Sequence, residues 1–187
     1  MTQTPYTRSS QMGAITAFIA VVLLIAIAFS LTPMSLEHLA TLLILMGCLF
    51  GTITALYRRL THLGSSPLAT LGYGVGVLGT TVAGIGILLT LGSGVGTNGI
   101  VVLGIIFGFL IMLVGFSLLG ISVAPRSPLG IWRFAPLLAL PLLLLILGVS
   151  AFVSQGQIER LYLYELQGLL FAAAMSGTGV LLWTNQH

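Results

Sequence analysis

Long apolar runs alternate with short polar segments along the whole chain. Six of these runs reach the roughly 20 residues that an α-helix needs to cross the hydrocarbon core of a bilayer. No charged residue lies well inside any of them. The pattern predicts an all-α polytopic membrane protein, with one domain (residues 1–187) forming a compact bundle of six transmembrane helices with short loops. The predicted spans are residues 12–32, 36–56, 67–91, 98–123, 134–154 and 164–184.

The composition supports lipid as the solvent of this chain. Hydrophobic residues make up 57% of the sequence and charged residues only 5%. A soluble domain carries about 25% charged residues. Because so few charges cannot cover a surface that faces water, we expect the bilayer to be the first partner of this protein.

Positive charge is confined almost entirely to one side of the predicted bundle. With six crossings, five arginines fall on one side, whereas Arg160 falls on the other side together with all three glutamates. Arginines that flank a span are retained on the cytoplasmic side during insertion. We therefore expect both termini to be cytoplasmic. The five arginines are Arg8, Arg58, Arg59, Arg126 and Arg133.

Residues Gly74, Gly76 and Gly79 have the G-x-G-x-x-G spacing of dinucleotide-binding proteins. That motif functions between a strand and a helix, with an acidic residue about 20 positions further on. Here the motif lies inside an apolar run, and the next acidic residue along the chain is Glu159. The sequence therefore predicts no nucleotide site at these glycines.

Small residues recur at helical spacing within several predicted spans. In lipid, helices associate through close backbone contact, because the surrounding tails are as apolar as the side chains. In span 67–91 small residues nearly surround the helix, which indicates either a central position in the bundle or a ridge that faces another chain. The predicted helix-packing residues are Gly47, Gly51, Gly72, Gly76, Gly84, Gly104, Gly108, Gly168 and Ala172.

Few side chains in this sequence can transfer protons, bind metals or act as nucleophiles. Lysine and aspartate are absent, and His38, His62 and His187 fall near the ends of three different spans. No two histidines have the four-residue helical spacing of a metal site. The arginines form no basic stripe with interleaved aromatic residues, as nucleic-acid binding would require. We expect no enzyme activity, no cofactor, no metal ion and no nucleic acid.

Three polar side chains near span ends are candidates for a ligand or proton site. Glu165 and Gln167 precede the small-residue face of the last span, and Glu37 begins the second. An ionisable group within a membrane is a functional candidate because its burial is unfavourable. Glu37 and Glu165 also lie within about one turn of the predicted interface, where contact with water explains them equally well. Both interpretations stay open.

Two adjacent arginines lie in the segment Tyr57–Leu60, at the cytoplasmic end of the second span. Cationic residues in this position fix topology and attract the anionic headgroups of the cytoplasmic leaflet. We expect both arginines to have these roles.

Two functions from different classes are consistent with the pattern. The first is a non-catalytic accessory or assembly component, which packs through its small-residue ridges against other membrane-protein chains or a second copy of itself. The alternative is a small transporter or ligand-binding module with an apolar cavity beside the fifth span, which Pro141 should kink. Inverted-repeat transporters have matched helix breaks in both halves, and Pro141 has no counterpart in the second span. This favours the first function, in the plasma membrane of a prokaryotic cell.

Overall fold

The structure is a computed structural model that describes residues 5–28, 36–64, 66–93, 99–125, 130–142 and 160–184. These residues are 96% helical and contain no strand. Five of their helices are long and apolar enough to cross a membrane. The described residues therefore bear out the prediction of an all-helical fold with several helices of membrane-spanning length. The elements are α1 (Pro5–Ala28), α2 (Leu36–His62), α3 (Pro67–Ser93), α4 (Gly99–Val123), a 3-10 helix (Gly130–Leu138) and α5 (Arg160–Thr184).

The predicted span 134–154 begins in an unexpected conformation. Its first residues belong to the 3-10 helix, and residues 139–142 continue as α-helix. Pro136 lies inside the 3-10 helix, where its missing N–H group prevents a regular α-helical hydrogen bond. Nine residues is long for 3-10 geometry, which seldom exceeds about four residues. The remainder of this span, 143–154, lies outside the described residues.

A tight turn joins α2 to α3 and fixes them as an antiparallel pair. The backbone N–H of Leu63 donates to the carbonyls of Arg59 and Leu60, which closes the last turn of α2. Gly64 then adopts a φ of 113°, a left-handed conformation that favours glycine. Pro67 is the first residue of α3, a position where the missing N–H of proline has no helical partner to lose.

The helical elements form a closed ring. Each element contacts the next one in chain order, from α1 through α4 and the 3-10 helix to α5. The ring is closed because α5 also contacts α1. Large apolar side chains fill the interior of this ring. Phe109 of α4 meets Phe171 of α5 edge to face, with ring centroids 5.6 Å apart. Leu49, Ile53 and Phe116 are completely buried within the same core.

The most central helix is α2. It contacts α1 and α3 extensively and also reaches α4 and α5. The sequence favoured α3 for this position because small residues surround it. Instead, α3 packs between α2 and α4 and exposes an outward face that includes Leu71, Leu78 and Ile85.

The closest backbone approach joins α3 and α4. A Cβ atom built on Gly79 would lie 2.2 Å from the backbone nitrogen of Met112. A Cβ on Gly115 would lie 2.2 Å from the nitrogen of Gly76, and one on Gly108 would lie 2.4 Å from the nitrogen of Ala83. Real Cβ atoms essentially never come so close to another heavy atom. Only glycine therefore fits at these three positions.

A second close contact joins α1 and α2. A Cβ on Gly13 would lie 2.1 Å from the Cβ of Ala55, and one on Gly51 would lie 3.1 Å from the side chain of Thr16. Thr16 and Thr52 also connect the helices, because their hydroxyl oxygens lie 3.1 Å apart. Close packing and an interhelical hydrogen bond therefore act at the same level.

Substitution of Gly115 by alanine tests the α3–α4 contact. The new methyl group meets backbone atoms of Gly76, which cannot rotate away, so the two helices must separate. We expect Gly115→Ala to lower the free energy of unfolding by about 3 kcal/mol, the upper part of the range for overpacking. The measurement is equilibrium unfolding in a mild detergent.

The matched control is Gly104→Ala on the same helix. A Cβ at Gly104 meets no atom within 4 Å. The free energy of unfolding of this variant should therefore be at least as large as that of the parent protein. Equal stability of the two variants would contradict the close α3–α4 contact.

Candidate functional site

One end of the bundle, which we call the arginine end, gathers the described arginine side chains. It contains the first turns of α1, α3 and the 3-10 helix, and the last turns of α2, α4 and α5. Ser10 near the start of α1 donates a hydrogen bond to the carbonyl of Leu182 near the end of α5. Tyr57 near the end of α2 stacks on Tyr73 near the start of α3, with ring centroids 4.3 Å apart.

The four arginines whose side chains are described all lie at this end. Arg8 and Arg58 are exposed, Arg133 is half-buried and Arg59 is buried. Glu37, which is exposed, occupies the first turn of α2 at the opposite end. The described part of the chain therefore has its positive charge at one end of the bundle.

Arg59 is the largest fully buried side chain among those described, with only 1% of its surface exposed. Its Nη1 atom donates a hydrogen bond to the carbonyl oxygen of Leu181. The last four carbonyls of an α-helix have no donor within the helix. The C-terminal end of a helix also carries partial negative charge, which attracts a cation. Arg59 therefore caps α5, and Ser10 satisfies the next carbonyl.

The two adjacent arginines have different environments, although the sequence analysis predicts the same role for both. Arg58 projects outward from the bundle, where headgroups and water can reach it. Arg59 points inward, one helical step of about 100° away, and joins α2 to α5. Sequence spacing showed that their directions differ but not which of them faces the neighbouring helix.

The buried hydroxyl groups are satisfied mainly by their own helices. Each donates to the backbone carbonyl four residues earlier, at distances of 2.7–3.0 Å. Such hydroxyls have no free donor to offer a polar substrate. These residues are Thr80, Thr90, Ser117, Ser122 and Thr178.

Buried polar atoms of Thr54 and Arg133 depart from this pattern. Within the described part of the chain, Oγ1 of Thr54 and Nε of Arg133 have no hydrogen-bond partner. The guanidinium of Arg133 instead lies over the ring of Phe134, with its central carbon 4.6 Å from the ring centroid. A buried hydroxyl without a partner lowers stability by about 1–3 kcal/mol, so Thr54 is a weak point in α2.

Two of the three candidate ligand or proton residues have described side chains. Glu37 is exposed on α2, and Gln167 is half-buried on α5. Glu165 lies in α5, but its side chain is outside the described part of the structure. These positions all belong to the end opposite the arginine end. Exposure of Glu37 is consistent with contact with water at the interface.

The predicted packing residues fall into two groups. In the first, Gly72 and Gly108 lie between α3 and α4, Gly76 meets Ile53 of α2, and Gly51 meets α1. On α5, Ala172 is buried and Gly168 is half-buried. In the second group, a Cβ would meet no atom within 4 Å. Its members are Gly47, Gly84 and Gly104.

Several close contacts involve glycines that the sequence analysis did not select. They are Gly13, Gly115, Gly120 and Gly177, and a Cβ on each would approach another element within 3.0 Å. Two features of the sequence could have identified Gly13 and Gly115 as packing residues. Gly13 is followed four residues later by Ala17, and Gly115 lies seven residues, about two helical turns, after Gly108.

Metal ligation and similarity to known proteins give no further indication of function. Among the described residues, no group of three or more histidine, cysteine or acidic side chains lies close enough to hold a metal ion. Comparisons with protein-family models, curated proteins and solved structures find no match for this chain. Functional inference therefore rests on the geometry of the bundle.

The arginine pair provides a matched test of the α5 cap. Arg59→Met removes the donor to Leu181, and we expect a loss of about 2 kcal/mol, as for hydrogen bonds to charged groups. Arg58→Met removes an exposed charge and should leave the unfolding transition in detergent unchanged. Equal shifts of the two transitions would show that Arg59 does not cap α5.

Valine substitutions at Thr52 and Thr54 on α2 should change the free energy of unfolding in opposite directions. Thr52→Val loses the interhelical hydrogen bond to Thr16, which is worth about 0.6 kcal/mol in membrane proteins. Thr54→Val removes a buried hydroxyl without a described partner and should stabilise the protein by about 1 kcal/mol. Unfolding of both variants in one detergent measures the difference, and destabilisation by Thr54→Val would refute the assignment.

Proposed function

We propose that this protein is a non-catalytic accessory or assembly component of a prokaryotic plasma membrane. It packs against the helix of a partner membrane protein, or of a second copy, through a glycine surface on the outside of α2 and α3. The observation that carries this proposal is the pair Gly47 and Gly84. Both glycines face away from the bundle core, and neither would bring a Cβ within 4 Å of another atom.

The register of α2 and α3 supports a common position for these two glycines. Tyr57 stacks on Tyr73, and Ile53 packs on Gly76. In an antiparallel pair, moving one residue towards the C-terminus of one helix corresponds to moving one residue towards the N-terminus of the other. Each such move is a rise of about 1.5 Å. Continuing this register brings Gly47 and Gly84 to the same level. Together they form a shallow notch that a helix with its own small residues fits.

The remaining outer surface supports lipid contact rather than assembly. The outward faces of α1 and α4 carry large apolar side chains, as expected against acyl chains. Examples are Ile15, Phe18 and Val22 on α1, and Leu103 and Phe107 on α4. The notch differs from this surface because it has a glycine on each of two adjacent helices, Gly47 on α2 and Gly84 on α3, which is why we place the partner there.

The filled interior also favours assembly over transport. A transporter of this size needs a polar or apolar cavity at the level of the mid-membrane. In the described part of the bundle, Leu49, Ile53, Phe116 and Phe171 occupy the central space, and the buried hydroxyls donate mainly to their own helices. This interior offers packing contacts and few free polar groups.

The arrangement of helix ends supports six crossings with both termini cytoplasmic. Both α4 and α5 end at the arginine end, so the chain between Val123 and Arg160 has to return to the opposite end. The predicted span 134–154 provides that crossing. The arginine end is cytoplasmic, because positive charge is retained there during insertion, and it contains the start of α1 and the end of α5.

One observation favours the alternative, a small transporter or ligand-binding module. The nine-residue 3-10 helix contains Pro136, and extended 3-10 geometry within a helix often marks a hinge. A hinge beside α4 and α5 would allow a cavity to open there. Assembly through α2 and α3 does not need this movement, so the two functions predict different responses to substitutions in the notch.

Leucine substitutions in the notch test the assembly function. A Cβ at Gly47 or Gly84 would meet no atom within 4 Å, so in Gly47→Leu and Gly84→Leu we expect the folded monomer to persist and the higher-order complex to dissociate. Light scattering after size exclusion in a mild detergent measures the mass of each species. Val22→Leu, on the lipid-facing side of α1, is the matched control and should leave the complex intact.

Two outcomes would contradict the assembly function. The parent protein could run only as a monomer when extracted gently from its own membrane. Alternatively, both notch variants could retain a complex of unchanged mass. In either case the 3-10 hinge and the transport alternative would become the better explanation.

Cysteine labelling tests the orientation. In a Cys48→Ala background, Leu63→Cys places a thiol at the arginine end, and Ser93→Cys places one at the opposite end. A membrane-impermeant maleimide added to intact cells should label Ser93→Cys alone, and Leu63→Cys should react only after permeabilisation. The reverse pattern, or equal labelling, would refute the topology.

A further inference from the structure

A second outward feature lies on α3, distinct from the notch at Gly47 and Gly84. It is a shallow groove with a volume of about 620 Å³. The absence of a side chain at Gly74, which meets no atom within 4 Å, makes the depression between larger neighbours. The groove is lined by Pro67, Thr70, Leu71, Gly74, Val75 and Leu78.

The length of the groove along α3 is close to the thickness of one leaflet. It starts at Pro67, the first residue of α3 at the arginine end, and extends to Leu78. At a rise of about 1.5 Å per residue, this is a length of about 16 Å. The hydrocarbon core is about 30 Å thick, so one leaflet occupies about 15 Å. From Thr70, the polar side chain in its lining, the groove continues for about 12 Å to Leu78, which is most of the acyl-chain length of the leaflet on the arginine side.

Among the described residues, the polar groups of the groove lie around Thr70, in the part nearest the arginine end, which we call the mouth. The hydroxyl oxygens of Tyr57 and Thr70 are 3.5 Å apart and exposed. Arg58, the neighbour of Tyr57, is also exposed, and the α2–α3 register places it about level with Leu71. The acidic side chain described by the structure, Glu37, lies at the opposite end of α2. The mouth thus favours an anion, and the interior favours hydrocarbon.

We propose that this groove binds an anionic phospholipid of the leaflet at the arginine end. One acyl chain lies along α3 over Gly74, and the phosphate contacts Arg58 and the hydroxyl pair of Tyr57 and Thr70. The lipid occupies the half of α3 nearest the arginine end. Gly84 lies about 15 Å beyond Gly74 along the helix, so lipid and partner helix occupy separate surfaces.

The test measures which lipids remain bound to purified protein. The protein is reconstituted in nanodiscs of phosphatidylglycerol and phosphatidylcholine in equal amounts, released gently into detergent, and analysed by native mass spectrometry. We expect retention of phosphatidylglycerol to exceed that of phosphatidylcholine about fivefold, the effect of one arginine near an anionic surface. Added inorganic phosphate should not displace it, because phosphate lacks the acyl chain.

Two variants separate the parts of the site. Gly74→Leu fills the groove and should abolish retention of both lipids. Arg58→Gln should keep a bound lipid but lose the preference for phosphatidylglycerol. The controls are Gly104→Leu, at an outward glycine on α4, and Arg8→Gln, at an exposed arginine on α1. Neither control should change retention, and all four variants should keep the parent unfolding temperature.

Three results would overturn the proposal. Gly74→Leu and Gly104→Leu could retain the same lipids as the parent protein. Arg8→Gln could reduce the preference as much as Arg58→Gln, which would indicate a diffuse charge effect. Finally, Gly74→Leu could dissociate a dimer of the parent protein, which would assign the groove to a second copy. The assembly test at Gly47 and Gly84 is independent of all three.

Discussion

In a bilayer, burial of apolar side chains provides little force to hold helices together, because lipid tails surround them as favourably as protein does. The structure depends on this constraint. Its helices gain dispersion contacts by bringing backbone against backbone, and each individual contact is weak. Close approach over several turns of α3 and α4 is therefore needed, and glycine is the residue that permits it.

The same constraint determines where polar groups occur. A hydroxyl in hydrocarbon needs a partner, and most of the buried threonines and serines find one four residues earlier in their own helix. The described charged side chains lie at the ends of the bundle. Arg59 extends this principle, because it enters the interior only where the last carbonyls of α5 need a donor. The arginine end thus combines a topological signal with a structural cap.

The sequence predicted the helices and their charge asymmetry well, because both follow from composition along the chain. The lengths of the apolar runs defined the predicted spans, and five of these spans correspond to described helices. The 3-10 geometry around Pro136 could not be predicted, since proline in a membrane helix is compatible with a kink or a regular turn. The sixth crossing is inferred from helix direction, because α4 and α5 both end at the arginine end.

The packing surfaces were predicted less completely, because spacing identifies a face and not its neighbour. Gly72 and Gly108 both lie in the α3–α4 contact, Gly72 against Leu118 and Gly108 against Ala83. Gly47 and Gly84 have the same kind of spacing and face outward. The contrast between Arg58 and Arg59 has the same origin. Such differences depend on the rotation of each helix in the bundle, which is set by all its neighbours together. The outward-facing glycines are the basis of both proposals, the partner surface and the lipid groove.

The central claim is that backbone contact between α3 and α4 holds the bundle in lipid. A Cβ on Gly115 would lie 2.4 Å from the Cα of Gly76, so one bond of about 1.5 Å brings their Cα atoms within about 4 Å. Solid-state NMR of protein in hydrated bilayers, with ¹³C at these two Cα atoms, measures the distance directly. The account predicts a strong cross-peak at short mixing time. Absence of that peak, with the helix axes at the 8–10 Å separation of helices spaced by ordinary side chains, would contradict it.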